Sequence, residues 1–182
     1  MYRFRNKVDA VMVGVGTILS DDPKLTVKET YVKHPRQPLR VVLDSKGRTP
    51  SHAQVLNDVA RTVIITAKGT KKTYKKSHIE VVECPTDGNG FIDVKCALEL
   101  LYRKGVRTLL VEGGGTVIWN FLHRKVVDDL YIYLGPCIIG GRDTPTVADG
   151  EGITGNEEAI PLKIVEVKRV GPGLLIHYRP AL

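Results

Sequence analysis

The sequence predicts an α/β domain with a mostly parallel sheet flanked by helices and an antiparallel hairpin at its C-terminal end. Three observations carry this. Short apolar runs alternate with helical patterns through the first two thirds of the chain. Several of those runs are apolar on both faces, as strands covered on both sides are. Two β-rich runs near the C-terminus flank a turn at Gly171-Pro-Gly173.

Taken in order, Val8–Val15 is almost wholly apolar and reads as a central strand, ended by Gly14-Val-Gly-Thr17. Ile18–Asp22 is a short turn of helix stopped by Pro23. Leu25–Lys28 is a brief extended piece, and Lys33–Pro38 is a polar loop. Leu39–Leu43 is a second strand, left by the polar loop Asp44–Pro50. Thr62–Thr66 is a third strand. The segment after it carries Lys68, Lys71, Lys72, Lys75 and Lys76 and is expected to form a short exposed helix.

Ile79–Glu83 is a fourth strand, followed by the loop Pro85–Gly90. Val94–Lys104 is a helix, with Val94, Ala97, Leu98 and Leu101 at i, i+3, i+4 and i+7. Asp93 caps its start and Gly105 ends it. Thr108–Glu112 is a buried strand, Gly113-Gly-Gly115 a turn without side chains, and Thr116–Lys125 a helix. Leu130–Leu134 is a further strand and Pro136–Gly155 a Gly-rich irregular stretch. Leu162–Val170 and Leu174–Arg179 close the chain as a hairpin.

The composition fits one packed domain over residues 1–182, with 42% hydrophobic and 26% charged residues. No apolar run is long enough to span a membrane, so no membrane partner is expected. The N-terminal residues have no apolar core of a signal peptide. Cys84, Cys96 and Cys137 are odd in number and lack C-x-x-C spacing, which reads as reduced, mostly buried thiols in a cytoplasmic protein. Five scattered histidines give no metal-ligand pattern, and no metal is expected. A net charge of +7 favours anionic partners, either nucleic acid or phosphorylated small molecules. The lysine cluster is interleaved only with Tyr74, which argues against a base-stacking surface.

The chemistry centres on Thr108–Lys125. A strand, a glycine turn and a helix N-terminus make an anion site, because backbone N–H groups and the helix dipole favour negative charge. Glycines let a phosphate approach the backbone closely. Glu112 ends the strand, where open α/β sheets bind ligands. The competing reading is a tight connection between packed elements. Neither a P-loop ending in Gly-Lys-Ser/Thr nor a G-x-G-x-x-G fingerprint is present.

Five motifs then occur in order: Asp9-Ala-Val-Met-Val-Gly-Val-Gly-Thr17, Asp21-Asp-Pro-Lys-Leu-Thr-Val27, Val42-Leu-Asp-Ser-Lys-Gly-Arg48, Val111-Glu-Gly-Gly-Gly-Thr116 and Leu134-Gly-Pro-Cys-Ile-Ile-Gly-Gly141. Together they resemble the reductases of riboflavin biosynthesis, over essentially the whole chain. The resemblance implies a dihydrofolate-reductase-like fold, a homodimer, and reduction of a ribosylaminopyrimidine 5′-phosphate to its ribityl form with NADPH. The H-x-E and P-C-x-x-C motifs of the deaminase fused to bacterial members are absent. The chain therefore resembles the stand-alone enzymes, which act before deamination. The resemblance also places a first central strand, with a Ser/Thr-Leu-Asp-Gly turn, ahead of the position of Met1.

Carried over residue by residue, the resemblance assigns cofactor contacts to Thr17, Asp21, Ser45, Gly114, Gly115, Thr116, Val117, Ile118, Trp119 and Asn120. It assigns substrate contacts to Leu25, Lys28 and Glu112. A cation at Lys28 suits the 5′-phosphate as a point charge. Asp21 and Glu112 are the carboxylates placed to move a proton. Thr66 and Lys68, at a strand end, are positioned to approach an adenosine 2′-phosphate. Trp119, Phe121 and Tyr131 read as core aromatics. Rival readings are the reductase domain of a bifunctional deaminase-reductase, another reductase of this fold, or a basic nucleic-acid-binding module.

Overall fold

The computed structural model describes residues 1–141, 144, 146–150, 152–153 and 159–181, so part of the irregular stretch Pro136–Gly155 lies outside the described residues. The chain forms two compact units, residues 1–114 and 115–182.

The first unit holds helix α1 (Tyr2–Arg5), strand β1 (Ala10–Gly14), helix α2 (Val15–Asp21) and strands β2 (Leu39–Leu43), β3 (Thr62–Ala67) and β4 (Ile79–Cys84). Helix α3 (Val94–Arg103) and strand β5 (Leu109–Gly113) complete it. All five strands are parallel, in the order β4-β3-β2-β1-β5. Every residue of β1 is buried, as near-continuous apolarity requires of a strand paired on both edges. Val11, Val13, Ile18, Leu25, Val42, Leu56 and Ile64 share one core. Each such buried aliphatic side chain contributes roughly 1.5–3 kcal/mol.

Two polar residues lock this sheet. Asp9, just before β1, accepts from the backbone N–H groups of Arg107 and Thr108, both 2.9 Å, and from Arg36 Nη2 at 2.8 Å. It thereby fixes the start of β5 beside the start of β1. Arg40 on β2 is fully buried and donates to Asn57 Oδ1 at 2.8 Å and to the Asn57 carbonyl at 2.6 Å. Burial pulls its guanidinium down to about 10, where it is still charged at neutral pH. Its Nε has no protein partner.

The second unit holds helix α4 (Gly115–His123) and strands β6 (Leu130–Leu134), β7 (Leu162–Val170) and β8 (Gly173–Pro180). These form an antiparallel sheet in the order β6-β8-β7. The expected hairpin is therefore joined by β6, and the three strands form a sheet of their own.

Five expectations need correction. Strand β5, expected to be buried, is half-buried because it lies at the edge of its sheet. The strand expected over Val8–Val15 is shorter, because Val15 already begins α2. The piece Leu25–Lys28 is not extended throughout: Leu25 has φ 53°. The lysine-rich segment is not a helix. Gly69 stands at φ 79°, Thr70 is β-branched, closely spaced lysines repel, and no apolar stripe offsets these. Tyr131 is not a core residue: it is 42% exposed and stacks on His177 at 4.3 Å.

The other elements follow the sequence closely. Asp93 caps α3 by accepting from the Cys96 N–H at 2.7 Å. Asp22, in the left-handed region, ends α2 immediately before Pro23.

Candidate active site

In the first unit, β5 ends in Glu112 and Gly113, followed by Gly114 at φ 77°. That conformation suits glycine and strains any other residue. Thr17, in the first turns of α2, turns its side chain to Gly113. A Cβ built there would lie 3.5 Å from Thr17 Oγ1. Thr17 and the glycine turn are thus brought together. Asp21, the last residue of α2, is exposed and faces solvent.

Glu112 is held rather than free. Arg5 Nε donates to its Oε1 at 2.6 Å and Nη2 to its Oε2 at 2.5 Å, a bidentate pair. The third contact of Arg5 runs from Nη1 to the Thr26 carbonyl at 2.9 Å. One guanidinium therefore ties Glu112 to the residue beside Leu25. Leu25 buries its side chain in the core while its backbone takes a positive φ, an uncommon state for a large side chain. Val27, next in line, is clamped by Gln37 through its N–H at 2.8 Å and its carbonyl at 2.9 Å. Lys28 is exposed, with Nζ 5.5 Å from the centre of the Tyr2 ring, which also faces Arg5 at 5.6 Å. Tyr2 stacks on Tyr31 at 4.6 Å. Glu112, Lys28 and Thr26, the neighbour of Leu25, thus each meet α1, through Arg5 and Tyr2.

Ser45 lies in a loop whose shape is set by Asp44. The buried Asp44 carboxylate accepts from Arg48 N at 2.8 Å and from Thr49 N and Oγ1, both at 2.7 Å. The Ser45 carbonyl accepts from Thr70 Oγ1 at 3.0 Å. Thr66 is buried with its hydroxyl directed to the Val82 carbonyl at 3.4 Å, whereas Lys68 is exposed.

In the second unit, α4 opens at Gly115. A Cβ there would come within 2.0 Å of Asp149 Oδ2, so the Asp149 carboxylate rests against the helix's first residue. Asp149 is in turn bound by Thr146, whose N–H donates at 3.2 Å. The Asp149 carboxylate thus occupies this helix end, where the dipole favours negative charge. Thr116, Val117, Ile118, Trp119 and Asn120 follow on α4 and are all half-buried. Trp119 stacks on His123 at 5.3 Å and meets the Gly150 backbone, where a Cβ would come within 2.6 Å of its ring. Phe121 is core, 4% exposed.

Sequence reasoning missed Arg5, Asp44 and Asp149. Arg5 is one of several basic residues in a short N-terminal segment, and nothing in its spacing marks a partner more than a hundred residues away. Asp44 carried a signal, an Asx residue leaving a strand before Gly47.

The rival surfaces are weaker. Tyr74 Oη donates to the Thr49 carbonyl at 2.8 Å, Lys72 lies over its ring, and Lys76 Nζ donates to the Leu56 carbonyl at 3.2 Å. The one aromatic in the lysine cluster is thereby committed to the fold. A hollow along α3, lined by Leu98, Tyr102, Val106 and Leu109, is largely apolar and holds none of the residues above. Among the described residues, no group of three or more His, Cys, Asp or Glu could hold a metal. No helix among them is long and apolar enough to cross a membrane.

Comparisons with known proteins give the family and the fold. Residues 1–176 match the family model described as the RibD C-terminal domain. The chain is 41% identical to the 2,5-diamino-6-ribosylamino-4(3H)-pyrimidinone 5′-phosphate reductase of Archaeoglobus fulgidus, covering 97% of this chain and 82% of that protein. It is 36% identical to the reductase of the same name from Methanothermobacter thermautotrophicus, covering 98% and 82%. Among solved structures it matches a Thermotoga maritima deaminase/reductase with TM-score 0.79 and 28% identity, covering 99% of this chain and 47% of that one. The chain thus spans about half the length of that bifunctional protein. A riboflavin biosynthesis reductase of Saccharomyces cerevisiae shares the fold with TM-score 0.75 at 20% identity, covering 99% and 79%.

Proposed function

The chain belongs to the RibD C-terminal domain family, and on that premise we propose that it reduces a ribosylaminopyrimidine 5′-phosphate to the ribityl form in riboflavin biosynthesis. It is an oxidoreductase, NADPH is the cofactor, and the reaction takes place in the cytoplasm. The diamino compound is the substrate, as in the names of the two archaeal relatives above. The observation that carries the reading is the Arg5 link, which joins Glu112 to the Thr26 carbonyl beside Leu25.

The residues fit a dinucleotide. Gly114, at φ 77°, carries no side chain to bar a pyrophosphate, and the N-terminus of α4 follows it directly. When bound, a nicotinamide supplies the hydride. The protein binds and orients. Thr17 and Ser45 hold the cofactor side, and Lys28 receives the 5′-phosphate. Glu112, fixed by Arg5, accepts a hydrogen bond from a sugar hydroxyl and holds the sugar in register. Asp21 is the exposed carboxylate able to exchange a proton with water and deliver it to a sugar oxygen. Two copies associate through the exposed β7, a proposal tested below.

The test is loss of the reduced nicotinamide's absorbance on adding the diamino or the deaminated substrate. Turnover with the diamino compound is expected. Preference for the deaminated compound reassigns the substrate, and no oxidation with either overturns the reading.

A further inference from the structure

Cys84 and Cys96 are not among the residues of the candidate active site. Cys84 is the last residue of β4 and is wholly buried; Cys96 is in the first turn of α3 and is half-exposed. Both are free thiols, and their Sγ atoms are 2.6 Å apart. The connection between them is built to keep them there. Thr86 and Ile92 form an antiparallel bridge, Asp93 N donates to the Pro85 carbonyl at 2.9 Å, and Asp87 N to the Phe91 carbonyl at 2.8 Å. Asp87 Oδ1 also accepts from Asn89 N and Phe91 N, both 3.0 Å. The end of β4 and the start of α3 are thus pinned from the backbone, and the sulfurs, at 2.6 Å, lie close to the bonding distance of about 2.05 Å. A metal would need more ligands than these two sulfurs, and no third His, Cys, Asp or Glu groups with them among the described residues.

We propose that Cys84 and Cys96 are a reversible dithiol–disulfide pair, closed by a low-molecular-weight disulfide of the glutathione type. Cys96 is the sulfur that a solvent oxidant reaches. Its thiolate attacks one sulfur of the small disulfide, forming a mixed disulfide and expelling one thiolate. Cys84 then loses its proton to water and attacks the Cys96 sulfur, expelling the second. In total, two protein thiols and one small disulfide give one protein disulfide and two small thiols, and the pair passes two electrons to the oxidant. Burial pushes the Cys84 thiol up to about 12, so the second step is the slow one and quickens as pH rises. The bond closes the short segment between β4 and α3 and stabilises the first unit chiefly by restricting its unfolded chain.

The experiment uses the full chain carrying Cys137→Ser, so that only the pair can react. It is incubated with oxidised glutathione, acid-quenched, unfolded and alkylated. Expected are an intact mass lower by two hydrogens, no alkylation, a linked peptide joining Cys84 to Cys96, and a thermal midpoint higher by about 5–10 °C. Adding Cys96→Ser removes the link and the shift. Alkylation of both thiols after oxidation overturns the proposal, as does a glutathione adduct that persists on Cys96 without closure. A midpoint shift that survives Cys96→Ser also overturns it.

Discussion

Arg5 grips Glu112 by both carboxylate oxygens, at 2.6 and 2.5 Å, with side chains only 13% and 6% exposed. A pair so placed is costly to break from one side, because the remaining charge is left without its partner. Arg5→Met should lower the urea unfolding free energy by about 3 kcal/mol. Adding Glu112→Gln should restore most of that stability without restoring turnover. If Arg5→Met alone is neutral in urea, the pair does not hold α1 to β5.

Gly114 stands at φ 77°, so a β-branched residue there is strained and also covers the backbone that a pyrophosphate must approach. Gly114→Val should abolish NADPH binding in a fluorescence titration. It should lower stability by about 1–3 kcal/mol while unfolding remains one cooperative transition. Unchanged NADPH affinity would make the turn a structural connection only.

Lys28→Ala should raise the KM for the phosphorylated substrate roughly tenfold or more and leave NADPH affinity unchanged, the scale of a lost charged hydrogen bond. The control is a dephosphorylated analogue: an equal loss for that compound removes the phosphate role.

The strands were legible because apolarity decides them. β2, β6 and β7 match their expected bounds, and α3 begins at its expected cap. The segments that failed are ruled by distant partners. The lysine-rich segment is organised by Tyr74 reaching Thr49, and Leu25 takes its backbone state in a core assembled from several strands. The candidate residues were legible as motifs, but their connection was not. Arg5, which links Glu112 to the neighbour of Leu25, lies in a segment too short and basic to suggest a role.

Acid should act first through Asp9. Backbone N–H donors from Arg107, then the Arg36 guanidinium and Thr108, hold its carboxyl well below the ordinary 3.8. A folded-state value below the unfolded one gives stability that is present above about pH 4 and is lost as pH falls through the folded value. Asp129, depressed by Arg179 and His177, acts in the same direction in the second unit. Asp9→Asn should therefore flatten the decline of the urea midpoint below pH 4, without removing the part due to Asp129. A decline as steep as in the parent would show that Asp9 is not its source.

β7 is exposed along its length, including Ile164, Val165, Val167 and Val170. A long, exposed edge strand of this kind is a pairing surface, and a second copy is the proposed occupant. Light scattering should give twice the 20.1 kDa chain mass, and Val167→Glu should reduce it to one chain. A parent mass of one chain at micromolar concentration would end the dimer proposal.

The place of β5 beside β1 sets an order on biosynthesis. β1 can pair with β2 once Leu43 has emerged, but its other edge waits for Leu109–Gly113 and for the Asp9 clasp on Arg107 and Thr108. At roughly 5–20 residues per second, the growing chain carries a bare apolar strand edge for several seconds. Pairings this distant in sequence are slow to form and open to misassembly. The ribosome-bound chain therefore exposes this edge to misassembly before the glycine turn has been translated.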